Sequence, residues 1–215
     1  IGGSKVTSFN SLTINNSSGA SLLTDENVTN TLTLTNGILD VGAATLGING
    51  TISQTSGVLQ VGSASSLSFG GSDALVIPAG LFSQSPSINN LTINRSGGVT
   101  LNSQNMTVNG LLDLQAGTLS LASNALTIGG VSSTRTSGVI DAANASATLF
   151  FTGSSAVTLP ASIFTGTVSN LTVNGAGGIT IPSDFTITGT LYLQGVNPSA
   201  VKGSLDLTDG TSLKT

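Results

Sequence analysis

Ser87-Ile88-Asn89-Asn90-Leu91-Thr92-Ile93-Asn94 decides the reading of this chain, because it occurs three times. It stands upstream as Ser8-Phe9-Asn10-Ser11-Leu12-Thr13-Ile14-Asn15 and downstream as Thr167-Val168-Ser169-Asn170-Leu171-Thr172-Val173-Asn174. The leucines of the phrase, Leu12, Leu91 and Leu171, recur at a nearly constant interval, and the matches run on beyond the phrase. Leu32, Leu34 and Gly37 return as Leu112, Leu114 and Gly117, and Leu46 and Ile48 as Leu126 and Ile128. Phe69, Gly71, Pro78 and Phe82 return slightly later than that interval, as Phe151, Gly153, Pro160 and Phe164. A fixed period with small insertions is the mark of a repeat array whose corners absorb length changes. The units run over about 8–86, 87–166 and 167–215, the last incomplete, within one continuous segment 1–215.

Inside a unit the apolar residues alternate in short bursts. Leu91-Thr92-Ile93, Met106-Thr107-Val108, Leu112-Asp113-Leu114, Leu119-Ser120-Leu121 and Leu126-Thr127-Ile128 each put two aliphatics on one face of a strand and a polar residue on the other. Asn36-Gly37, Asn49-Gly50, Gly97-Gly98, Asn109-Gly110 and Gly177-Gly178 lie between such bursts, where residues that tolerate positive φ turn corners. Three triplets take about 20 residues, so a unit of this length is expected to hold four coils. The fold expected is all-β, a right-handed parallel β-helix with about three short strands and 20 residues per coil. About ten coils stacked at ~4.8 Å would make a rod roughly 50 Å long. Tandem antiparallel β-sandwich domains are the alternative, since they also have short strands and frequent turns.

Composition removes several functions. Charged residues are only 7% of the chain, against about 25% in ordinary soluble domains; Ser, Thr and Asn supply the polar surface instead. The five basic residues, Lys5, Arg95, Arg135, Lys202 and Lys214, are scattered, and the net charge is −4. No basic stripe is present to neutralise phosphates, so nucleic acid is not an expected partner. Absence of cysteine removes disulfides and thiolate metal sites. The apolar runs, such as Ala74 to Phe82 with Pro78 inside it, are too short for a helix to span a bilayer, so membrane insertion is not expected. Ile1-Gly2-Gly3-Ser4-Lys5 has no apolar stretch after it of the kind a signal peptide needs. The chain starts and stops in mid-pattern, and a segment of something longer is expected.

With the phrase, the triplets and the ending Ala156-Val157-Thr158-Leu159-Pro160-Ala161 in view, the chain resembles the repetitive regions of large secreted bacterial surface proteins. The style is that of giant Bacteroidota adhesins exported by the type IX system, and it is similar to the β-helical stalks of autotransporters and filamentous-haemagglutinin-type adhesins. The resemblance implies an extracellular place at the bacterial cell surface and a role as stalk or shaft of an adhesin or filament. It also implies partners that are adjacent repeats of the same polypeptide or other subunits of a surface assembly, with glycans as a further class. It carries over no catalytic residue and no cofactor.

Parallel β-helices also house polysaccharide lyases and hydrolases, which need acids brought together, often with a base or a metal. Asp113, Asp141 and Arg135 are the candidates for such a cleft, in a chain with nine acids and no histidine. An enzyme is not expected. For calcium, Asp25-Glu26-Asn27 and the pair Asp206 and Asp209 offer oxygens without any calcium-loop spacing. Thr31-Leu32-Thr33-Leu34-Thr35 and Thr186-Ile187-Thr188 suit a carbohydrate- or ice-binding face, the alternative to the shaft, although Asp113, Ser120 and Tyr192 interrupt that pattern. Phe69, Phe82, Phe150, Phe151 and Phe164 gather near unit ends and are expected to fill a wide coil or close a corner, with a sugar-stacking platform as the alternative. Asn90 and Asn170 sit in glycosylation sequons but are expected at corners.

Overall fold

The computed structural model describes residues 1–130 and 132–194, and beyond them the backbone of the strands Ala200–Val201, Leu205–Leu207 and Ser212–Lys214. No helix occurs among the described residues, and the strand pairs are parallel throughout. The chain is therefore a β-solenoid of about nine turns. Tandem sandwiches are excluded, because their sheets are built from antiparallel neighbours.

Each turn has three sides. The first side stacks the opening halves of Thr7–Asn15 and Glu26–Asn36, then Thr45–Ile48, Ser66–Gly71, Leu91–Arg95, Leu111–Ala116 and Ser132–Arg135. The second begins with the closing halves of the same two long strands and Thr51–Gln54. Higher up it holds the ladder from Leu75–Val76 through Val99–Thr100 and Thr118–Ser120 to Leu205–Leu207. The third starts as Ala20–Ser21, Ile38–Asp40 and Val58–Gln60, with Phe82 bridged to Leu59. It continues from Ser87–Ile88 through Met106–Val108, Ala125–Ile128, Thr148–Phe151, Asn170–Val173 and Thr190–Leu193.

Alternation sends the aliphatics inward and stacks like on like. Leu46, Leu67, Leu91 and Leu112 lie one above another, each at most 1% exposed. Burying a leucine of this kind stabilises by about 1.5–3 kcal/mol. The backbone meets its partners in the turns above and below, so three-residue strands suffice where a sandwich needs longer ones. Corners depend on glycine where the backbone closes tightly. Gly37 and its repeat equivalent Gly117 have φ of 84° and 77°. A Cβ there would stand 1.8 Å from the Asn16 carbonyl oxygen and 1.7 Å from that of Arg95.

The expected four coils per unit are corrected by the register. Val28, Ile48, Phe69 and Ile93 mark three full turns up the first side. Val108, the repeat equivalent of Val28, lies two sides further on, on the third side. A unit therefore fills eleven sides, or three and two-thirds turns. The cause is visible at the unit boundary. Ile163 and Phe164 pair with Ile140 as Leu81 and Phe82 pair with Leu59, so these segments close their units. The opening pair of the next unit, Thr167-Val168, belongs to the same strand, Phe164–Val168, with a register shift inside it. One side is thus shared between consecutive units. As a result Leu12, Leu91 and Leu171 stand on the second, first and third sides, a rotation of one-third turn per unit.

Candidate functional site

The residues that sequence reading offered for a catalytic cleft are each engaged in local structure. The Asp113 carboxylate accepts from Gln115 Nε2 at 2.6 Å and from Thr134 Oγ1 at 2.6 Å. The Asp141 carboxylate accepts from Ser120 Oγ at 3.1 Å and from the Ala143 N–H at 3.1 Å. Arg135 donates to the carbonyls of Gly138 at 2.8 Å and Ala161 at 3.4 Å, pinning a corner instead of facing an acid. Its repeat equivalent Gln54 makes the same two bonds, to Gly57 O at 2.9 Å and Gly80 O at 3.0 Å. A guanidinium and an amide filling one role argue for a clamp, since the two share only planar N–H donation.

The candidate calcium oxygens serve the backbone too. Asp25 Oδ1 accepts from the Thr45 N–H at 2.7 Å, as its equivalent Asn105 does from Ala125 at 2.8 Å. Glu26 is buried, and its carboxylate accepts from the Thr7 N–H at 3.1 Å and Thr24 Oγ1 at 2.9 Å. Among the described residues no group of three His, Cys, Asp or Glu side chains is placed to hold a metal. The Asp206 side chain and Asp209 lie outside the described residues. The sequon residues sit at corners: Asn90 Oδ1 accepts from the Leu111 N–H, and Asn170 bonds Ala145, Ala147 and Thr190.

Arg95 is the one buried cation among the described residues, 1% exposed. Its guanidinium donates to four carbonyls, those of Asn49 at 3.3 Å, Gly50 at 2.9 Å, Gly70 and Asp73. These belong to the two turns beneath it, so the side chain ties three turns together. Burial lowers its pKa from the ordinary value, and the charge of Asp73 opposes that shift. An arginine holds its proton far above neutral pH, so the site remains charged.

Two outer surfaces remain. On the second side, Ser11, Thr31 and Thr51 form one outward column, and Thr13, Thr33 and Ser53 another. Thr31 and Thr51 hydroxyls are 3.3 Å apart. The array covers three turns and then stops, because Thr51–Gln54 has no strand paired above it. On the third side, Thr127, Phe150, Thr172 and Tyr192 stack in one outward column. The expectation that the unit-end phenylalanines fill a wide coil or close a corner is therefore corrected for Phe150. Phe69, Phe82 and Phe151 are in the core and Phe164 packs against it, its ring 5.4 Å from that of Phe185. Phe150 faces outward and is half-buried. The signal was in the sequence, since adjacent residues of a strand face opposite ways and Phe150-Phe151 cannot both point in.

A depression of about 360 Å³ at the corner of Asp40, Gln60 and Gln84 has neither an aromatic ring nor a cation in its lining. Asp40 there accepts from the Gly42 N–H at 3.0 Å. The geometry offers stacking and polar columns on a continuous frame. The chain matches no protein-family model, and no curated protein or solved structure matches it.

Proposed function

We propose that the chain is a shaft segment of a large bacterial cell-surface adhesin or extracellular filament, which extends and presents distal binding regions. Its neighbours along the axis are further repeats of the same polypeptide or other subunits of the assembly. The observation that carries this reading is the unbroken core, stacked from Leu12 to Leu191, around which Glu26, Arg95, Asp113, Arg135 and Asp141 are occupied in internal hydrogen bonds. Continuous backbone pairing along an axis resists bending and shear in a way that loop-linked domains do not. The one-third-turn rotation supports it further, since equivalent surface residues are carried to a new side in each unit and a side regains its own chemistry only at every third unit. Such a layout suits a spacer and defeats a flat, lattice-matched face, which limits the threonine array to three turns.

The test is where the protein resides. Antibodies raised against residues 1–215 are expected to label intact producing cells and to lose the epitope after external protease treatment. Labelling only after the cells are opened would overturn the proposal.

A further inference from the structure

Eight aromatic side chains occur in the chain, seven phenylalanines and one tyrosine. Six of the phenylalanines belong to the core or pack against it: Phe9, Phe69, Phe82, Phe151, Phe164 and Phe185. The two aromatics left, Phe150 and Tyr192, both face outward on the third side, and they fall in one column. Phe150 pairs in register with Thr172, and Thr172 with Tyr192, so the rings stand two turns apart with a small side chain between them. Two turn spacings are about 10 Å. The repeat does not explain the pair, because their repeat equivalents are Ser68 and Asp113, which are not aromatic.

We propose that Phe150 and Tyr192 form a binding strip for an extended, neutral, β-1,4-linked polysaccharide lying along the rod axis. In such a chain each sugar is flipped relative to the last, so every second ring presents the same face, and a disaccharide covers about the distance of two turns. The apolar face of one sugar packs on the Phe150 ring and that of the next but one on Tyr192, while Thr172 leaves room for the sugar between. Hydrogen-bonding groups flank the rings. Asn174 and Gln194 carry the same two turns onward, held by bonds from their N–H groups to the carbonyls of Phe151 and Val173, and both side chains are exposed. Thr152 is exposed beside Phe150. The side chains described there are neutral amides and hydroxyls, which favours a neutral chain over a uronate; Lys214 pairs with Tyr192 one turn further on, and its side chain lies outside the described residues. This strip goes beyond the shaft reading and does not depend on it.

The test uses the full chain and soluble cellohexaose, chitohexaose and, as the α-linked control, maltohexaose, by isothermal titration. Binding is expected to a β-1,4 hexamer, at least tenfold weaker for the corresponding disaccharide, which reaches one ring only, and weaker again for maltohexaose. Phe150→Thr and Tyr192→Thr are each expected to lower the affinity at least tenfold. Both install the residue that neighbouring turns hold in that column, and circular dichroism checks that the fold persists. Thr13→Val, on another side, is expected to change nothing. No binding to either β-1,4 hexamer at millimolar concentration, or binding unaltered in the double threonine variant, would overturn the strip. So would a self-association that the two threonine variants abolish without any effect of sugar, which would make the ring pair a contact between copies of the chain. Surface labelling of cells is independent of all these results, so the shaft reading stands or falls separately.

Discussion

Replacing Arg95 with methionine removes the guanidinium and keeps most of the apolar stem. Four carbonyls, of Asn49, Gly50, Gly70 and Asp73, then lose their donor in a place that is 1% exposed at the arginine. A hydrogen bond to a charged group is worth ~1.5–3 kcal/mol net. Four bonds from one group do not add linearly, and the removed charge also removes its own desolvation cost. The expected loss is about 4 kcal/mol, a large share of the roughly 5–15 kcal/mol that holds a typical domain together. Arg95→Lys keeps the charge but not the planar fork, so about 2 kcal/mol is expected. The chain has one tyrosine and no tryptophan, so urea unfolding is best followed by far-ultraviolet circular dichroism. Because stacked turns contact only their neighbours, a lesion between the first and second units is expected to uncouple them and to split the transition in two. An Arg95→Met chain that unfolds in one step within ~1 kcal/mol of the parent would refute the view that this side chain ties three turns together.

The clamp equivalence predicts that Arg135→Gln is tolerated within ~1 kcal/mol, since Gln54 makes the same two bonds one unit earlier; the urea midpoint decides. Gly117→Ala places a methyl group 1.7 Å from the Arg95 carbonyl oxygen at a φ of 77°, and a loss of at least ~3 kcal/mol is expected by the same measurement. The one-third-turn rotation is tested by disulfide trapping in a chain that has no cysteine of its own. Ser68→Cys with Thr92→Cys joins residues paired in register on the outer surface and is expected to cross-link. Ser68→Cys with Ser87→Cys is expected to stay reduced; four whole turns per unit, which would stack Ile88 on Phe69 and Ser87 on Ser68, would give the opposite result.

The turn was legible in the sequence because strand alternation is a local rule. Leu91-Thr92-Ile93 shows its inner and outer faces without reference to any other residue. Three such triplets with their corners fill one coil, and the register of Leu12 with Leu32 follows from that length. The count per unit was not legible. Leu81-Phe82 and Ser87-Ile88 look in sequence like strands of two sides, and only stacking reveals that they share one. Register between turns is set where corners lengthen, as in the turn from Leu67 to Leu91, which takes more chain than the turn from Leu12 to Leu32. Insertions of that kind carry no signal of which ladder they rejoin.

The same distinction explains the candidate sites. Asp113, Asp141 and Arg135 are plausible together because the two acids are one to two coils apart with Arg135 the nearest base, yet that spacing says nothing about direction, and their partners are Thr134, Ser120 and the Gly138 carbonyl. Phe150 and Tyr192 were the reverse case. Each could be assigned outward from its own strand, Phe150 by its neighbour Phe151 and Tyr192 by Leu191 and Leu193. Nothing local places them in one column, because two full turns of chain and an enlarged corner lie between them. A solenoid thus separates two kinds of information: the face of a side chain is written in its neighbours, and the company it keeps is written in the corners. Surface chemistry along such a rod is therefore retuned by corner length as much as by substitution. One residue added to the corner after Phe151 leaves every triplet facing as before and yet strains the register that brings Thr172 and Tyr192 into line with Phe150.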